Sequence, residues 1–176
     1  MVQSVELLPD AATEAEVRRR WSLLGAAGLP HSGLHTGASN RPHITLAVAP
    51  ELPANREDDI VRAIIGLPLR LRLGGLLLFP RGRGGVVMAL AVTVSAELLT
   101  LQDAVRRAVG DDRLGHQAPG EWTPHVTLAR RLDPGQVAVA LGISGLAADI
   151  DGTGVAVRRW DGDAKQDRVI SCDVPS

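Results

Sequence analysis

Apolar and polar positions alternate with a period of two through Ile44-Thr45-Leu46-Ala47-Val48 and again through Val126-Thr127-Leu128-Ala129, which predicts two half-buried strands. Each follows a proline, Pro42 or Pro124, a residue without an N–H that a sheet tolerates at the start of a strand or on an edge. Elsewhere, Val2 to Leu8 reads as a strand bounded by Pro9-Asp10. Thr13-x-x-Glu16 has the form of a capping box and opens a helix running to about Ala26, which stops at Gly28-Leu29-Pro30. His31 to Asn40 is a loop rich in Gly, Ser and His, and Asn55 or Arg56 to Ile65 is a short amphipathic helix ended by Gly66 and Pro68. Strands around 69–79 and 86–94 flank Arg81-Gly82-Arg83-Gly84-Gly85, a hairpin loop whose arginines are in reach of a phosphate but which lacks the Gly-Lys-Ser/Thr of a P-loop. Leu98, Leu101, Val105 and Ala108 form one stripe of a helix from Glu97 to Val109, closed by Gly110. After a loop from His116 to Trp122 come the second motif strand and a helix from Gln136 to Leu141 behind Asp133-Pro134. A hairpin then pairs Gly154–Trp160 with Arg168–Asp173 about Asp161-Gly162-Asp163.

The two motif strands are near copies: Pro42-His43-Ile44-Thr45-Leu46-Ala47 and Pro124-His125-Val126-Thr127-Leu128-Ala129. Their histidines lie 82 positions apart in a chain with five histidines, and alternation puts His and Thr on one face of each strand. Imidazole titrates near 6.5, so around neutral pH one His can act as base while a second acts as acid. A threonine two residues on projects its hydroxyl to the same side, where it can hold an anionic oxygen. Paired imidazoles and hydroxyls suit a phosphodiester: one His activates water or a ribose hydroxyl, and the other protonates the departing oxygen. A lone His-x-Thr would be read as a structural residue, and the duplication is what argues for function.

Composition sets limits. The chain has 176 residues, enough for a single domain with a real core, and 45% of them are hydrophobic. With 2% aromatic residues, that core is built from Leu, Val, Ala and Ile. No apolar run approaches the roughly 18 residues of a membrane span, and the N-terminus lacks a basic start and an apolar signal core, so a cytoplasmic location is expected. Cys172 is the single cysteine, which excludes an internal disulfide and a thiolate metal cluster. The net charge of −1 argues against tight nonspecific nucleic-acid binding, while leaving room for a locally basic groove lined by arginine.

The chain resembles the two-histidine (2H) phosphoesterase superfamily, in particular its bacterial 2'-5' RNA ligase-like and RNA 2',3'-cyclic phosphodiesterase branch. The resemblance rests on the tetrads His43-Ile44-Thr45-Leu46 and His125-Val126-Thr127-Leu128, on Arg41-Pro42 before the first and on Ala129-Arg130 after the second. It extends through the middle segment, with Gly74-Gly75 and Phe79-Pro80, and covers about residues 40 to 132. It implies an α+β, bilobal fold: two antiparallel sheets facing each other across a central groove, helices outside, and pseudo-twofold duplicated lobes contributing one tetrad each within a single domain, 1–176. It also implies hydrolysis of 2',3'-cyclic or 2'-5' phosphodiesters, with reversible ligation in some relatives.

His43, His125, Thr45 and Thr127 are then the catalytic residues, and Arg130, Trp122, Arg41 and Phe79 the substrate-binding ones. Family members often stack the base on Phe or Tyr, and this chain has no Tyr and one Phe. Strict alternation turns Arg130 away from Thr127, so a phosphate role for it requires the strand to end or twist there. The expected partners are RNA ends, 2'-5' oligonucleotides or small cyclic-phosphate nucleotides, bound by a monomer that uses no cofactor and no metal.

Other chemistries fit less well. Gly142-Ile143-Ser144-Gly145 is not a Gly-x-Ser-x-Gly nucleophile elbow, and no His and carboxylate cluster has metal-ligand spacing. His31 and His35, four apart, lie in a glycine-containing loop and are expected to be solvated. The rival from another class is a nonhydrolytic binder that captures a nucleotide or RNA end in the same groove.

Overall fold

The structure is a computed structural model that describes residues 3–52, 54–82, 84–110 and 120–170. In chain order its elements are β1 (Gln3–Pro9), α1 (Ala11–Ala26), β2 (Ile44–Ala49), α2 (Glu57–Ala63), β3 (Leu69–Arg81), β4 (Gly85–Val92), α3 (Ala96–Val109), β5 (His125–Leu132), α4 (Pro134–Leu141), β6 (Ile150–Asp161) and β7 (Gln166–Ile170). Cys172, Arg83 and the loop positions 116–119 lie outside the described residues.

The α+β class holds, but the strands form one seven-stranded antiparallel sheet where two facing sheets were expected. Its order is β2-β1-β6-β3-β4-β5, with β7 beside β6. The cause is the length of β6. Its 12 residues pair with β1 along one side, and on the other side with β3 through 150–154 and then with β7 through 157–161. One strand therefore joins both halves and leaves no break in the ladder. The sheet also bends back, because β2 and β5, at opposite ends of the order, are in contact.

Two capping details differ from the sequence reading. Helix α1 is capped by Asp10, whose Oδ1 accepts from the N–H of Thr13 at 2.8 Å, so Thr13 lies inside the first turn. That hydrogen bond comes first among those holding the Asp10 carboxyl below the usual range. Asp10 also ties α1 to β6, accepting from the N–H of Thr153 at 2.7 Å. Helix α4 starts at Pro134, and its capping box is formed by Asp133 and Gln136.

The core is aliphatic, as the composition requires. Leu7, Val17, Leu24, Leu46, Leu73, Leu90, Leu98, Val105 and Leu128 are among its fully buried members. Each such side chain contributes about 1.5–3 kcal/mol by leaving water. Strand β1 is buried along its whole length, which places Glu6, a carboxylate, deep inside.

Candidate active site

The first tetrad runs from His43, immediately before β2, into β2, the second opens β5, and both strands carry a β-bulge at the same place. Ala47 pairs with Val5 and Thr45 with Glu6, so Leu46 is the extra residue. Ala129 pairs with Met88 and Thr127 with Ala89, so Leu128 is the extra residue. A bulge puts two successive side chains on one side of the strand. Leu46 with Ala47, and Leu128 with Ala129, are accordingly all at 0% exposure. Simple alternation put Val48 in the core and Ala47 outside, and the bulge reverses both. On β5 the same phase change returns Arg130 to the outward side with Thr127, which supplies the twist that the sequence alone did not show.

The two imidazoles are held alike. His43 Nδ1 lies 2.7 Å from the carbonyl of Arg41, and His125 Nδ1 lies 2.8 Å from the carbonyl of Thr123. A carbonyl only accepts, so each Nδ1 carries the proton and each Nε2 is left as the atom that exchanges one. Pro42 and Pro124 sit between each histidine and its anchoring carbonyl. The rings are near enough for the positive charge of one to bear on the other. Burial pushes the His125 pKa below the ordinary histidine value, and the charges of His43 and Arg130 push the same way, against the opposing hydrogen bond that the ring donates to the Thr123 carbonyl.

The surroundings of the two rings differ. Phe79 on β3 packs against His125, ring centroids 4.7 Å apart and tilted by 46°. His43 faces a buried charge cluster instead: its Nε2 is 3.6 Å from Glu6 Oε1 and its Nδ1 is 3.4 Å from Arg158 Nη2. Glu6 accepts from Ser4 Oγ at 2.7 Å and from Arg158 Nε at 2.8 Å. Arg158 Nη1 donates to Ser39 O at 2.7 Å and to Asp167 Oδ2 at 2.9 Å. Sequence reasoning missed Glu6 and Arg158. The available signal was a charge inside each of two strongly apolar strands, at Val5-Glu6-Leu7 and Val157-Arg158.

Two tryptophans tie the tetrads to their surroundings. Trp21 on α1 donates its Nε1–H to the carbonyl of Thr127 at 3.2 Å, and Trp122 donates to the carbonyl of Thr45 at 3.1 Å. Trp122 is half-buried against the core, and its N–H is engaged by the opposite tetrad. The guanidinium of Arg41 is likewise engaged, by Glu14 Oε2 at 2.7 and 3.0 Å, and what Arg41 gives the site is its carbonyl. His31 is not solvated as expected. A Cβ on Gly25 would lie 2.9 Å from its Nε2 and one on Gly33 3.0 Å from its Nδ1, so the ring sits tightly between two glycines, while His35 is exposed.

These strands recur in known proteins. The model of the 2'-5' RNA ligase superfamily matches residues 9–164, most of the chain. The chain belongs to that superfamily. Its structure is similar to that of TT0787 of Thermus thermophilus, with TM-score 0.58 and 18% identity over 97% of this chain and 96% of that one. E. coli LigT complexed with 3'-AMP is similar with TM-score 0.59 and 21% identity, over 95% and 92% of the two chains. Kluyveromyces marxianus Usb1 gives TM-score 0.57 and 13% identity, over 96% and 97%. A sequence comparison with curated proteins returned no match. The resemblance to 2H phosphoesterases that the tetrads carried is thus upheld, and superfamily membership makes this a chain of the phosphoesterase and ligase type. Among the described residues no group of three or more His, Cys, Asp or Glu is arranged to hold a metal ion, and no helix is long and apolar enough to cross a membrane.

Proposed function

We propose that this superfamily member is a metal-independent phosphodiesterase, opening a 2',3'-cyclic or 2'-5' phosphodiester of RNA or a nucleotide by paired-histidine acid–base catalysis, acting as a cytoplasmic monomer. The observation that carries the proposal is the matched anchoring of the two imidazoles through Nδ1 at 2.7 and 2.8 Å, which leaves Nε2 of each ring as the atom that exchanges a proton. That E. coli LigT has been solved with 3'-AMP and with ATP supports a nucleotide-shaped ligand.

His125, whose pKa is lowered, is the base. Its Nε2 takes a proton from water as the water oxygen bonds to phosphorus in line. The bond from phosphorus to one ribose oxygen breaks, and His43, as the acid, delivers its Nε2 proton to that oxygen. A phosphomonoester and a free hydroxyl result, and the histidines exchange a proton with solvent to reset. Thr45, Thr127 and Arg130 hold the nonbridging oxygens, where negative charge is concentrated. Phe79, already against His125, lies where a base or ribose would meet the ring. With a ribose hydroxyl in place of water, the same steps on a 2',3'-cyclic phosphate form a new phosphorus–oxygen bond to that ribose as the bond to the 3' oxygen breaks and is protonated, which is 2'-5' ligation; run backwards they cleave it.

The test is turnover of 2',3'-cyclic nucleotides and 2'-5' linked adenylates in EDTA. His43→Ala and His125→Ala are each expected to lower the rate by about 10²- to 10⁴-fold. Full turnover by the double variant, or binding of these ligands with no product from the wild type, leaves the nonhydrolytic binder as the answer.

A further inference from the structure

Beyond the tetrads, β5 runs on into a second cluster of positive charge. After Ala129 another bulge sets Arg130 and Arg131 opposite the single residue Val87, because Met88 pairs with Ala129 and Val86 with Leu132. Alternation would have turned one of two successive arginines inward, and here both are exposed. Arg131 has φ 67°, the left-handed region that an arginine seldom occupies without a local reason. Across from it, the hairpin between β3 and β4 brings Arg81, Gly82, Gly84 and Gly85. Arg81, Arg131, Leu132, Asp133 and the glycines line a concavity of about 540 Å³.

The guanidiniums in this hollow have no carboxylate within ion-pair distance. Most arginines of the protein face a carboxylate within ion-pair distance, including Arg18, Arg41, Arg72 and Arg158. Among the described residues the side chains of Arg70, Arg81, Arg130 and Arg131 make no hydrogen bond or ion pair, and three of these four sit at this one end of β5. The one acid in the hollow, Asp133, is occupied as the cap of α4, its Oδ1 accepting from the N–H of Gln136 at 2.8 Å. Two unpaired guanidiniums over a glycine-rich turn are a setting for the oxygens of a phosphate. At about 3.3 Å per residue, Arg131 lies on the order of 15–20 Å along the strand from His125. A mononucleotide held at His125 does not cover that distance. The next phosphates of an RNA strand do.

We propose that Arg81 and Arg131 form a second phosphate subsite that receives the RNA backbone away from the reacting end, so that an oligonucleotide terminus is bound in preference to a free nucleotide. The proposal builds on the phosphodiester function assigned to the tetrads, and it is tested by binding, separately from turnover.

The probes are a short single-stranded RNA ending in a 3'-phosphate and the mononucleotide 3'-AMP, with dissociation constants measured by fluorescence anisotropy and calorimetry over a range of salt concentrations. Each phosphate neutralised on a single strand adds about 0.7 to the slope of log K against log salt. The oligonucleotide is therefore expected to show a wild-type slope at least about 1.4 steeper than 3'-AMP, from two guanidinium contacts. The double variant Arg81→Gln, Arg131→Gln is expected to lose about that much slope, and to bind the oligonucleotide about tenfold or more weakly at low salt. Arg70→Gln removes an equally unpaired arginine at a different place and is expected to keep the wild-type slope. An unchanged slope in the double variant, or an equal loss in Arg70→Gln, overturns the subsite. If the slopes behave as stated and yet no phosphodiester is opened, the catalytic proposal has failed and the subsite stands. If cyclic mononucleotides are opened and the slopes do not change, the reverse holds.

Discussion

The charge cluster behind His43 gives the sharpest prediction, because its two members should fail differently. Glu6 and Arg158 are 4% and 2% exposed and lie opposite each other on β1 and β6. Removing one partner of a buried ion pair commonly costs about 3–5 kcal/mol, since the other charge is left without compensation. The structure ranks the two cases. Without Glu6, Arg158 keeps Asp167 and the Ser39 carbonyl, so Glu6→Gln is expected at or below the low end, about 2–3 kcal/mol. Without Arg158, Glu6 keeps only the Ser4 hydroxyl and the neighbouring imidazole, so Arg158→Met is expected near 4 kcal/mol. Urea denaturation at pH 7 gives the two stabilities, and equal losses, or a larger loss for Glu6→Gln than for Arg158→Met, would refute the reasoning.

Two further outcomes follow from the site. The folded state holds the pKa of His125 below about 6.5, so below that pH the unfolded chain binds more protons; stability is retained above about 6.5 and is lost as pH falls through that value towards the lowered folded one. His125→Gln should therefore show a shallower loss of stability than the wild type between pH 7 and 5 by denaturant titration, and parallel curves would contradict it. Trp21→Phe and Trp122→Phe remove the indole N–H from the carbonyls of Thr127 and Thr45, and each is expected to cost about 1–3 kcal/mol and to lower kcat with little change in KM. A loss confined to KM would mean that these indoles touch substrate after all.

What the sequence revealed and what it hid divide along physical lines. The tetrad strands, α3 and the β3–β4 hairpin were legible because each has its own local signal, in alternation, in a single apolar stripe closed by Gly110, or in a glycine-rich turn. The first half of β6 was not legible, because Asp151-Gly152-Thr153-Gly154 has the composition of a loop. Those glycines answer to tertiary contact: a Cβ on Gly152 would lie 2.0 Å from Thr13 Oγ1, and one on Gly154 2.9 Å from Leu7 Cδ2. Because that half was hidden, the strand that joins the two halves into one sheet was hidden with it. The cap of α1 was misplaced by three residues for a related reason. Pro9-Asp10 reads in the sequence as the end of a strand, while the Asp10 carboxylate also begins the helix and accepts from the N–H of Thr153. Glu6 and Arg158 were visible as anomalies, but only their pairing across β1 and β6 gives the anomaly a purpose.

The duplicated Thr-Leu-Ala explains how one short motif builds two matching walls. Leucine followed by alanine after the threonine lets two successive side chains enter the core, a large one and a small one, at the bulge. A bulky residue in place of Ala47 or Ala129 would have to enter space already filled at 0% exposure, so the alanine is as much a part of the motif as the histidine is. Past the bulge the copies diverge. The position after the alanine is Val48 on one strand and Arg130 on the other, and behind the rings stand Glu6 with Arg158 on one side and Phe79 on the other. Identical anchoring of both Nδ1 atoms makes either ring able to give or take a proton. Under the proposed mechanism, the unequal surroundings, carboxylate and guanidinium against aromatic ring and arginine, would set which ring does which, and so would give a nearly symmetric pair of strands a direction of reaction.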